Sequence, residues 1–462
     1  MTSYSEFIDS KHMAATLQGF EVDRRDVNPV AFEYQKDVIV AACRSGRYAG
    51  FLDCGLGKTL IELEWSRLVW EHSGHDSMIL LLTPLSVAKQ MVREAEKFGI
   101  NCPVRRVMDQ SECGPGINVT NYERLHLFDS SRFVGVVLDE SSILKSFMGA
   151  TKTVLCDEFS ATPFRLCGTA TPAPNDRKEL GNHSQFLGIM DSSEMLMRWF
   201  INDTMKAGGY RLKKHSSGDF WKWVASWSAC LRRPSDLGYS DEGFILPPME
   251  VIDHEIESTR KVSGHLIDPG GNVSATNVHD VKRAMLPEKA EVVASLASGT
   301  SEAYVVWVDT DYEADAIRPL IPDAVEVRGS MSVEMKERRL DDFVNGQTRV
   351  LITKPEIGGF GSNWQHCHRM SWFPSFSYEA YYQCFRRFYR FGQKHKVTVD
   401  CVKTDLEKSV SDTAAMKQFE HQEMQEEIAK WMQDAVKSGA VRKGLSMYQP
   451  ESAMSMPPFL RA

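Results

Sequence analysis

The sequence predicts an α/β fold built from two parallel-sheet units in tandem. In the first part of the chain, short runs of leucine and β-branched residues alternate with helical stretches, as in "SMILLLTP" and "FVGVVLDE". A second series follows, with "AYVVWVDT" and "RVLITKP" among its strands. This alternation is typical of parallel sheets with crossover helices. Because 462 residues are also too many for one hydrophobic core, we expect two such units.

The two series of strands set the predicted domain boundaries. A tryptophan-rich helical stretch, "FWKWVASWSACLRRP", and a Gly/Ser/Asn-rich segment, "DPGGNVSATN", lie between them. Beyond the second series, apolar residues recur at helical spacing. We therefore predict a first lobe at 1–188, a helical insertion and linker at 189–285, a second lobe at 286–402, and a helical C-terminal extension with a loose tail at 403–462.

Composition narrows the class of protein. With 42% hydrophobic and 25% charged residues, and apolar runs of only strand length, the chain is predicted to be soluble and to lack a membrane span. A net charge of -8 gives no overall basic field, so a nucleic acid would need a local patch. Ten cysteines without a C-x-x-C pair indicate reduced thiols in a cytoplasm. The histidine groups "HSGH" and "HCH" lack a second pair at zinc-site spacing, which disfavours a metal there.

A glycine turn between a strand and a helix is the first candidate site. In "FLDCGLGKT", Gly55 and Gly57 allow backbone N–H groups to curl around phosphates, Lys58 can reach the β- and γ-phosphates, and Thr59 can bind Mg²⁺. Leu52 stands where the usual phosphate loop has its first glycine. The pattern predicts a nucleoside triphosphate site that includes the intervening Leu56.

Two carboxylates end a later hydrophobic strand. Asp139 and Glu140 follow "FVGVVL", about eighty residues after the glycine turn. In phosphate-loop enzymes, one acid at such a strand tip holds the magnesium and a second orients the attacking water. We assign Asp139 to the metal and Glu140 to the water.

The stretch "YYQCFRRFYRFGQKHK" combines arginines with aromatic residues. It has three interpretations: a nucleic-acid patch, a core helix with a charged rim, or charges directed at a chemical target. Wound as one α-helix, it places Gln383, Arg387 and Arg390 within about 60° of one another and Tyr381, Phe385 and Phe388 on the opposite face. One row of donors on a packed helix favours a single target, and Arg386 has no assigned role in this pattern.

The motifs taken together resemble a superfamily-two DEAD/DEAH-type helicase ATPase, specifically the Swi/Snf branch in its short phage or bacterial form. The resemblance spans roughly residues 30 to 402. It rests on "FEYQKDVI", "FLDCGLGKT", "LLTPLSVAKQMVREAEKF", "NVTNYERL", "VVLDESSILKS", "FRLCGTATPAPNDRKEL", "VLITKPEIGGFGSNWQ" and the arginine stretch, in that order. The motif that usually contains DEAH contains DESS here.

This resemblance implies two RecA-like lobes with ATP and Mg²⁺ in the cleft between them. It implies that Arg387 and Arg390 reach from the second lobe to the γ-phosphate. Nucleotide contacts are further implied for Gln35, Gly359 and Gln383, and Thr169 and Thr171 would couple the nucleotide to a nucleic-acid track. The implied track residues are Thr83, Pro84, Leu85, Thr120, Arg328, Gly329, Thr353 and Lys354.

The resemblance leaves three activities open. The first is an ATP-driven translocase on double-stranded DNA, which this branch favours. The second is a strand-separating helicase on DNA or RNA; the sequence shows no obvious wedge domain, and the insertion at about 189–240 is the candidate for one. The third is an ATP-gated nucleic-acid clamp or recruiting module. In each case we expect a monomer in the cytoplasm of a bacterial or phage-infected cell, with partner proteins that choose its site.

Overall fold

Two separate parallel sheets organise the chain, which confirms the predicted fold class. The computed structural model describes residues 19–437, apart from 85–86, 146–149, 204–208, 258–282, 284, 360–362, 375–376 and 405–406. Within these residues there are two large parallel sheets and one antiparallel hairpin.

The first sheet contains seven strands. In chain order, the strands of this half are β1 (Arg47–Leu52), β2 (Met78–Thr83), β3 (Val104–Arg106), β4 (Gly116–Asn121), β5 (Gly135–Asp139), β6 (Phe164–Thr169), the hairpin strands β7 (Phe200–Asp203) and β8 (Gly209–Leu212), and β9 (Ser228–Leu231). The sheet runs β3-β4-β2-β5-β6-β1-β9, and all its pairings are parallel. The tips of β1 and β5, which carry the candidate motifs, therefore point to the same edge.

Helices cover both faces of this sheet. They are α1 (Glu33–Ser45), α2 (Lys58–Ser73), α3 (Ala88–Phe98), α4 (Ala150–Glu158), α5 (Leu180–Leu187), α6 (Ser192–Trp199) and α7 (Ser217–Trp227). Strands β2 and β5 are almost fully buried, as expected for central strands covered on both faces.

The second sheet contains six parallel strands. They are β10 (Met249–Ile256), β11 (Tyr304–Trp307), β12 (Ala324–Val327), β13 (Val350–Thr353), β14 (Arg369–Trp372) and β15 (Val397–Thr404), in the order β10-β15-β14-β11-β13-β12. Its helices are α8 (Leu286–Ser298), α9 (Asp311–Ile317), α10 (Val333–Val344), α11 (Pro355–Gly358) and α12 (Tyr378–Phe385).

The segment between the two lobes belongs to both of them. Helix α7 buries Trp221, Trp223 and Trp227 in the core of the first lobe, and β9 pairs with β1. In the second lobe, β10 pairs with β15 along its whole length. The residues predicted as an insertion at 189–285 thus contribute a strand to each sheet, while the predicted domain limits stay predictions.

A long C-terminal helix, α13 (Lys408–Lys437), returns to the first lobe. Met424 and Ile428 enter the core beside α7, and Glu423 and Glu426 pair with arginines of the first lobe. The predicted loose tail lies outside the described residues.

Two expectations from composition concern the whole chain. All ten cysteines are free. In the part of the chain that the structure describes, no helix combines the length and the apolar character needed to cross a membrane.

Candidate active site

The glycine turn between β1 and α2 has the geometry of a phosphate-binding loop. Gly55 and Gly57 have φ of 90° and 73°, values that favour glycine because a side chain would be strained there. Gly57 directly precedes the first residue of α2. The loop therefore leads into a helix N-terminus, where backbone N–H groups and the helix dipole favour an anion.

Buried side chains of α1 hold this loop. The side-chain amide of Gln35 donates a hydrogen bond to the carbonyl of Leu56 at 2.9 Å, and the hydroxyl of Tyr34 donates to the same oxygen at 3.0 Å. The carbonyl oxygen of the Gln35 side chain accepts from the backbone of Phe32 at 2.8 Å. Any Cβ on Gly57 would overlap the Gln35 amide, so the loop packs tightly on this glutamine. In this structure Gln35 positions the loop, and the contact with the nucleotide that the resemblance implies for Gln35 stays a prediction.

Lys58 and Thr59 begin α2. The ammonium of Lys58 donates a 2.9 Å hydrogen bond to the carbonyl of Leu52, which holds it beneath the loop. Thr59 is half-buried at the same helix end. Both side chains are within the first turn of a helix whose N-terminus faces the loop, as the motif predicts.

The two carboxylates lie at the tip of β5. Asp139 accepts a 2.7 Å hydrogen bond from the hydroxyl of Thr83, and its backbone carbonyl accepts one from Tyr122 at 2.7 Å. The pKa of Asp139 is raised to about 6, because burial and the adjacent charge of Glu140 raise it by more than the Thr83 hydrogen bond lowers it. The charge of Lys58 also lowers it, which places this lysine within Coulombic range of Asp139.

Glu140 has an unusual backbone. Its φ of 59° is the only positive value at a non-glycine residue in the described part of the chain. Its carboxylate accepts hydrogen bonds from Thr169 at 2.5 Å and from Ser142 at 3.0 Å, and the Thr169 hydroxyl in turn accepts from the backbone of Thr171 at 3.0 Å. Such a strained residue needs surrounding contacts to hold it, and here the predicted coupling threonines provide them.

Glu62 is a buried acid that sequence analysis missed. It lies on α2, one turn after Lys58, and is 1% exposed. Neither of its carboxylate oxygens has a hydrogen-bond partner among the described residues. Burial, together with the charge of Asp139, raises the pKa of Glu62 well above the usual range. In the sequence "LIELEW", Glu62 looks like an exposed residue of a helix, and only the fold shows that it is buried.

His183 is a second functional candidate that the sequence did not reveal. Its ring is fully buried, with Nε2 3.1 Å from the hydroxyl of Ser141 and Nδ1 3.4 Å from the carbonyl of Glu179. Burial lowers the pKa of His183 to about 4, so the imidazole is neutral. It connects the carboxylate motif to α5. Forty-two positions separate His183 from Ser141, and no local pattern predicts that contact.

The arginine stretch is not one helix, which corrects the geometry assumed from the sequence. Helix α12 ends at Phe385, and the chain continues in turns in which Arg387 N donates to Cys384 O and Phe388 N to Phe385 O, at 3.2 and 3.1 Å. Bonds between residues three apart are tighter than those of an α-helix. This turn accompanies the burial of Phe385 and Phe388 in the second lobe.

Gln383 and Arg387 remain adjacent despite the turn. Arg387 donates to the backbone carbonyl of Gln383 at 3.1 Å and to its side-chain oxygen at 3.2 Å. Both residues are buried, and the side-chain nitrogen of Gln383 has no hydrogen-bond partner among the described residues. The charge of Arg387 lowers the pKa of Asp139, which brings it within Coulombic range of the first lobe's carboxylates.

Arg390 also faces the first lobe. Burial lowers its pKa, as does the charge of Arg387, whereas Cys54 and Glu94 of the first lobe raise it. Beside it, the backbone nitrogen of Phe391 lies 2.7 Å from the position that a Cβ on Gly55 would occupy. The turn that carries the arginines thus contacts the phosphate loop directly.

The structure does not bring the predicted nucleic-acid residues together as exposed side chains. Thr83, Thr120 and Thr353 are buried, and Thr353 donates to the carbonyl of Val327 at 3.4 Å. Pro84 lines the cleft between the lobes, and Leu85 lies outside the described residues. The side chains of these three threonines therefore lie inside the lobes rather than on an exposed surface.

The charged members of the predicted track are paired within the second lobe. Arg328 forms ion pairs with Asp315 and Glu326, and Lys354 pairs with Asp311 at 2.9 Å. Gly329 completes the predicted track, and Gly359 is a residue predicted to contact the nucleotide. A Cβ added to Gly329 would meet no described atom within 4 Å, whereas buried Gly359 ends α11 against the carbonyl of Pro355.

A cavity of about 370 Å³ opens between the lobes beside Glu140. Ser142 and Lys145 of the first lobe and Leu340 and Glu356 of the second are among its lining residues. Two ion pairs join the lobes around it, Lys89 with Glu337 and Lys145 with Glu379. The cleft is therefore bridged on this side as well as at the phosphate loop.

The residues at this site fit a magnesium ion that would take few ligands from the protein. Half-buried Asp139 supplies a carboxylate and Thr59 a hydroxyl near the loop. Among the described residues, no group of three or more His, Cys, Asp or Glu side chains is arranged to hold a metal. Mg²⁺ commonly takes one or two carboxylates and fills its remaining positions with water and phosphate oxygens. The donor set matches that pattern and excludes an all-protein cage in this part of the molecule.

A solved structure shares this two-lobe architecture. S. cerevisiae Dbp5 bound to RNA and ADP BeF3 superimposes with a TM-score of 0.53 at 12% identity, covering 90% of this chain and 93% of Dbp5. The chain shares the two-lobe fold of that protein. In this fold, the phosphate loop, both carboxylates and the arginine turn lie at the junction of the lobes.

Two further similarities are weaker. The human DNA excision repair protein ERCC-6-like is 27% identical over 181 residues, a match that covers 34% of this chain and only 14% of that protein. The Sulfolobus solfataricus SWI2/SNF2 ATPase core in complex with dsDNA aligns over 93% of this chain and 99% of its own, at 15% identity and a TM-score of 0.40. No protein-family model matches the sequence.

Proposed function

We propose that this chain is an ATP-dependent motor on nucleic acid, with duplex DNA as its preferred track, which hydrolyses ATP between its two lobes. One observation carries this proposal. The turn of the second lobe that carries Arg387 packs against the phosphate loop of the first lobe, where the backbone nitrogen of Phe391 lies 2.7 Å from the position that a Cβ on Gly55 would occupy. A carboxylate, a lysine and an arginine from two lobes form one composite site suited to a triphosphate and its metal.

The first lobe binds the nucleotide. Backbone N–H groups of the loop and the N-terminus of α2 point at the phosphates, and Lys58 leaves Leu52 to reach the β- and γ-phosphates. Thr59 and Asp139 would hold Mg²⁺, which neutralises charge on the phosphate oxygens when bound. Gln35 keeps the loop in place through Leu56.

Glu140 orients the attacking water, and Thr169 fixes the direction of its carboxylate. Arg387 and Arg390 place positive charge where the transition state spreads its negative charge. A cis arginine of this kind contributes on the order of 10³-fold or more to the rate. Because the arginines come from the second lobe, hydrolysis requires the lobes to be joined, and product release lets them part. The chemistry is thereby converted into relative motion.

Two observations support DNA as the track: the motif resemblance, and the similarity to a human relative that is named a DNA excision repair protein. Contacts to the phosphate backbone carry no sequence information, so binding is expected to be independent of sequence and to weaken steeply with salt. Dbp5, whose structure contains RNA, represents the competing choice of track. Protein partners would then select the place of action for a monomeric motor.

The proposal is tested by ATP turnover with no nucleic acid, single-stranded DNA, duplex DNA and RNA. We expect duplex DNA to stimulate turnover most, and Lys58→Ala to abolish turnover in every condition. Exposed Lys97 on α3 provides a matched control, because Lys97→Ala should retain wild-type turnover. Absence of ATP turnover in the wild type would overturn the proposal, and stimulation by RNA alone would change the track.

A second assay separates translocation from strand separation. A translocase on duplex DNA displaces the third strand of a triplex and leaves the duplex intact. We expect triplex displacement that depends on ATP and on Glu140. Unwinding of a forked duplex would instead support the strand-separating helicase, and ATP-dependent retention without displacement would support the clamp.

A further inference from the structure

Arg386, which has no role in the motif pattern, joins the two lobes. Its guanidinium donates a 2.5 Å hydrogen bond to the carboxylate of Asp53, the residue that follows β1 at the start of the phosphate loop. The two side chains are only 14% and 12% exposed. A charged hydrogen bond shielded from water is stronger than one at a protein surface.

Asp53 is held by both lobes at once. Its carboxylate accepts a 2.7 Å hydrogen bond from the backbone of Cys54 and another from the hydroxyl of Tyr382 in the second lobe. Its own backbone N–H donates to the carbonyl of Leu231 on β9 at 2.8 Å. Movement of Arg386 would therefore be transmitted to the first residues of the loop.

The arginine is prearranged by its own lobe. Its guanidinium carbon lies 5.1, 5.3 and 5.6 Å from the ring centres of Tyr382, Phe385 and Tyr389. These distances fall within the range of cation–π attraction, which stabilises a guanidinium in one orientation. Its aromatic neighbours lie on the end of α12 and on the turn that follows, which also contains Arg387, so the position of Arg386 is linked to that of the turn.

The C-terminal helix covers the pair. His421 of α13 is 3% exposed, and its ring centre lies 5.7 Å from that of Tyr382. Burial lowers the pKa of His421 to about 4. The charge of Arg386 lowers this pKa further in the same direction, whereas the charge of Asp53 opposes the shift. A neutral ring in this position keeps water away from the ion pair.

We propose that Arg386 and Asp53 form a positioning pair that joins the lobes and holds the arginine turn against the phosphate loop. The inference rests on the proposed function for its catalytic consequence. With the pair formed, Arg387 already acts on Asp139, and the backbone of Phe391 already approaches Gly55. The joined state is thus the productive one, and less ordering remains when ATP binds.

A double-mutant cycle with Asp53→Asn, Arg386→Gln and the double variant tests the pair. We expect each single variant to lower kcat about 10²-fold, the size of loss that a misplacement near 1 Å produces. Equilibrium ATP affinity should change less than about threefold, because the loop and Lys58 are retained. The double variant should be no slower than the slower single variant, since the same contact is lost in all three.

A second readout needs no ATP hydrolysis. Dyes at exposed Glu96 in the first lobe and Gln347 in the second report the distance between the lobes by energy transfer in nucleotide-free protein. We expect efficient transfer in the wild type and reduced transfer in all three variants, with a smaller reduction for Tyr382→Phe. If the wild type fails to hydrolyse ATP, the proposed function fails while this measurement still tests the pair.

The second lobe offers a matched control. Arg349 pairs with Asp323 at 2.6 Å within one lobe, so Asp323→Asn and Arg349→Gln make the same chemical changes away from the junction. Both should retain wild-type turnover and transfer, with thermal unfolding followed for every variant. Unchanged kcat and transfer in Arg386→Gln would overturn the proposal. So would effects of Asp53→Asn and Arg386→Gln that multiply in the double variant.

Discussion

The hydroxyl of Thr169 donates a 2.5 Å hydrogen bond to the carboxylate of Glu140. The two residues end neighbouring parallel strands, β6 and β5, and Glu140 adopts a left-handed backbone with φ of 59°. The bond holds the Glu140 carboxylate, which would orient the attacking water, against Thr169 of the following motif. A change in the position of β6 would therefore be transmitted to Glu140.

Thr169→Val should lower kcat about tenfold or more while ATP affinity stays near the wild-type value. The substitution keeps the shape of the side chain but removes a hydrogen bond to a charged group, which is worth about 1.5–3 kcal/mol. Steady-state turnover and equilibrium ATP binding measure the two effects. Thr169→Ser, which keeps the hydroxyl, should recover most of the rate; equal rates for the Val and wild-type proteins would contradict the assignment.

Glu140→Gln should reduce hydrolysis by about 10²-fold or more and leave ATP binding intact. The amide keeps the size of the side chain but orients and polarises water poorly, and loss of a general base of this kind typically has that magnitude. Exposed Glu123, also on the cleft, is a matched control whose Gln variant should turn over normally. Wild-type hydrolysis by Glu140→Gln would show that another group serves this role.

The fold and the glycine turn between β1 and α2 were predictable from sequence because both depend on local patterns. Buried strands reveal themselves as apolar runs, and the phosphate loop as glycines before Lys58. The end of α12 at Phe385 was not predictable, because burial of aromatic rings in the second lobe determines it. The contact between Asp53 and Arg386 spans 333 positions, so only the relative placement of the lobes reveals it.

Other site residues escaped prediction for the same physical reason. Glu62 and His183 carry polar side chains in helices, where the usual expectation is exposure or a neutral packing role. Their burial arises from β6 and β5 lying beside them. Conversely, arginine and lysine are residue types that bind phosphate, but Arg328 and Lys354 form ion pairs with acidic residues of their own lobe.

Gly168→Ala should lower the free energy of unfolding by about 1–3 kcal/mol, the usual effect of overpacking. A Cβ at this position would overlap the carboxylate of Glu62. Gly135→Ala on the neighbouring strand is the control, because its Cβ would make only ordinary contacts with Val69 and Ile79. Denaturant titration measures both. Glu62→Ala in the Gly168→Ala background should restore part of the loss, and a Gly168→Ala protein of wild-type stability would contradict the packing described.

Glu179 should make the protein less stable as pH rises from about 4.5 towards 7. Burial raises its pKa from 4.5 to about 7, although hydrogen bonds from Asn175 oppose the shift. Between these values the folded state keeps a proton that the unfolded state has lost, so the free energy of unfolding falls with increasing pH and levels off above about 7. The shift corresponds to on the order of 3 kcal/mol.

Glu179→Gln removes this titration. The variant should therefore be more stable than the wild type at pH 8, and the difference between them should shrink towards pH 5. Denaturant unfolding at several pH values gives the difference directly, with Glu158→Gln as an exposed control. A difference that does not vary with pH would show that Glu179 is ionised in the folded protein throughout this range.

We propose that the arginine turn of the second lobe serves ATP hydrolysis rather than nucleic-acid binding. The most direct test measures duplex-stimulated ATP turnover and duplex affinity together for the wild type and Arg390→Ala. Turnover should fall about 10³-fold, as expected for loss of a cis arginine, while duplex affinity is retained. Retained turnover with weakened duplex binding would contradict the claim and restore the interpretation of this stretch as a nucleic-acid patch.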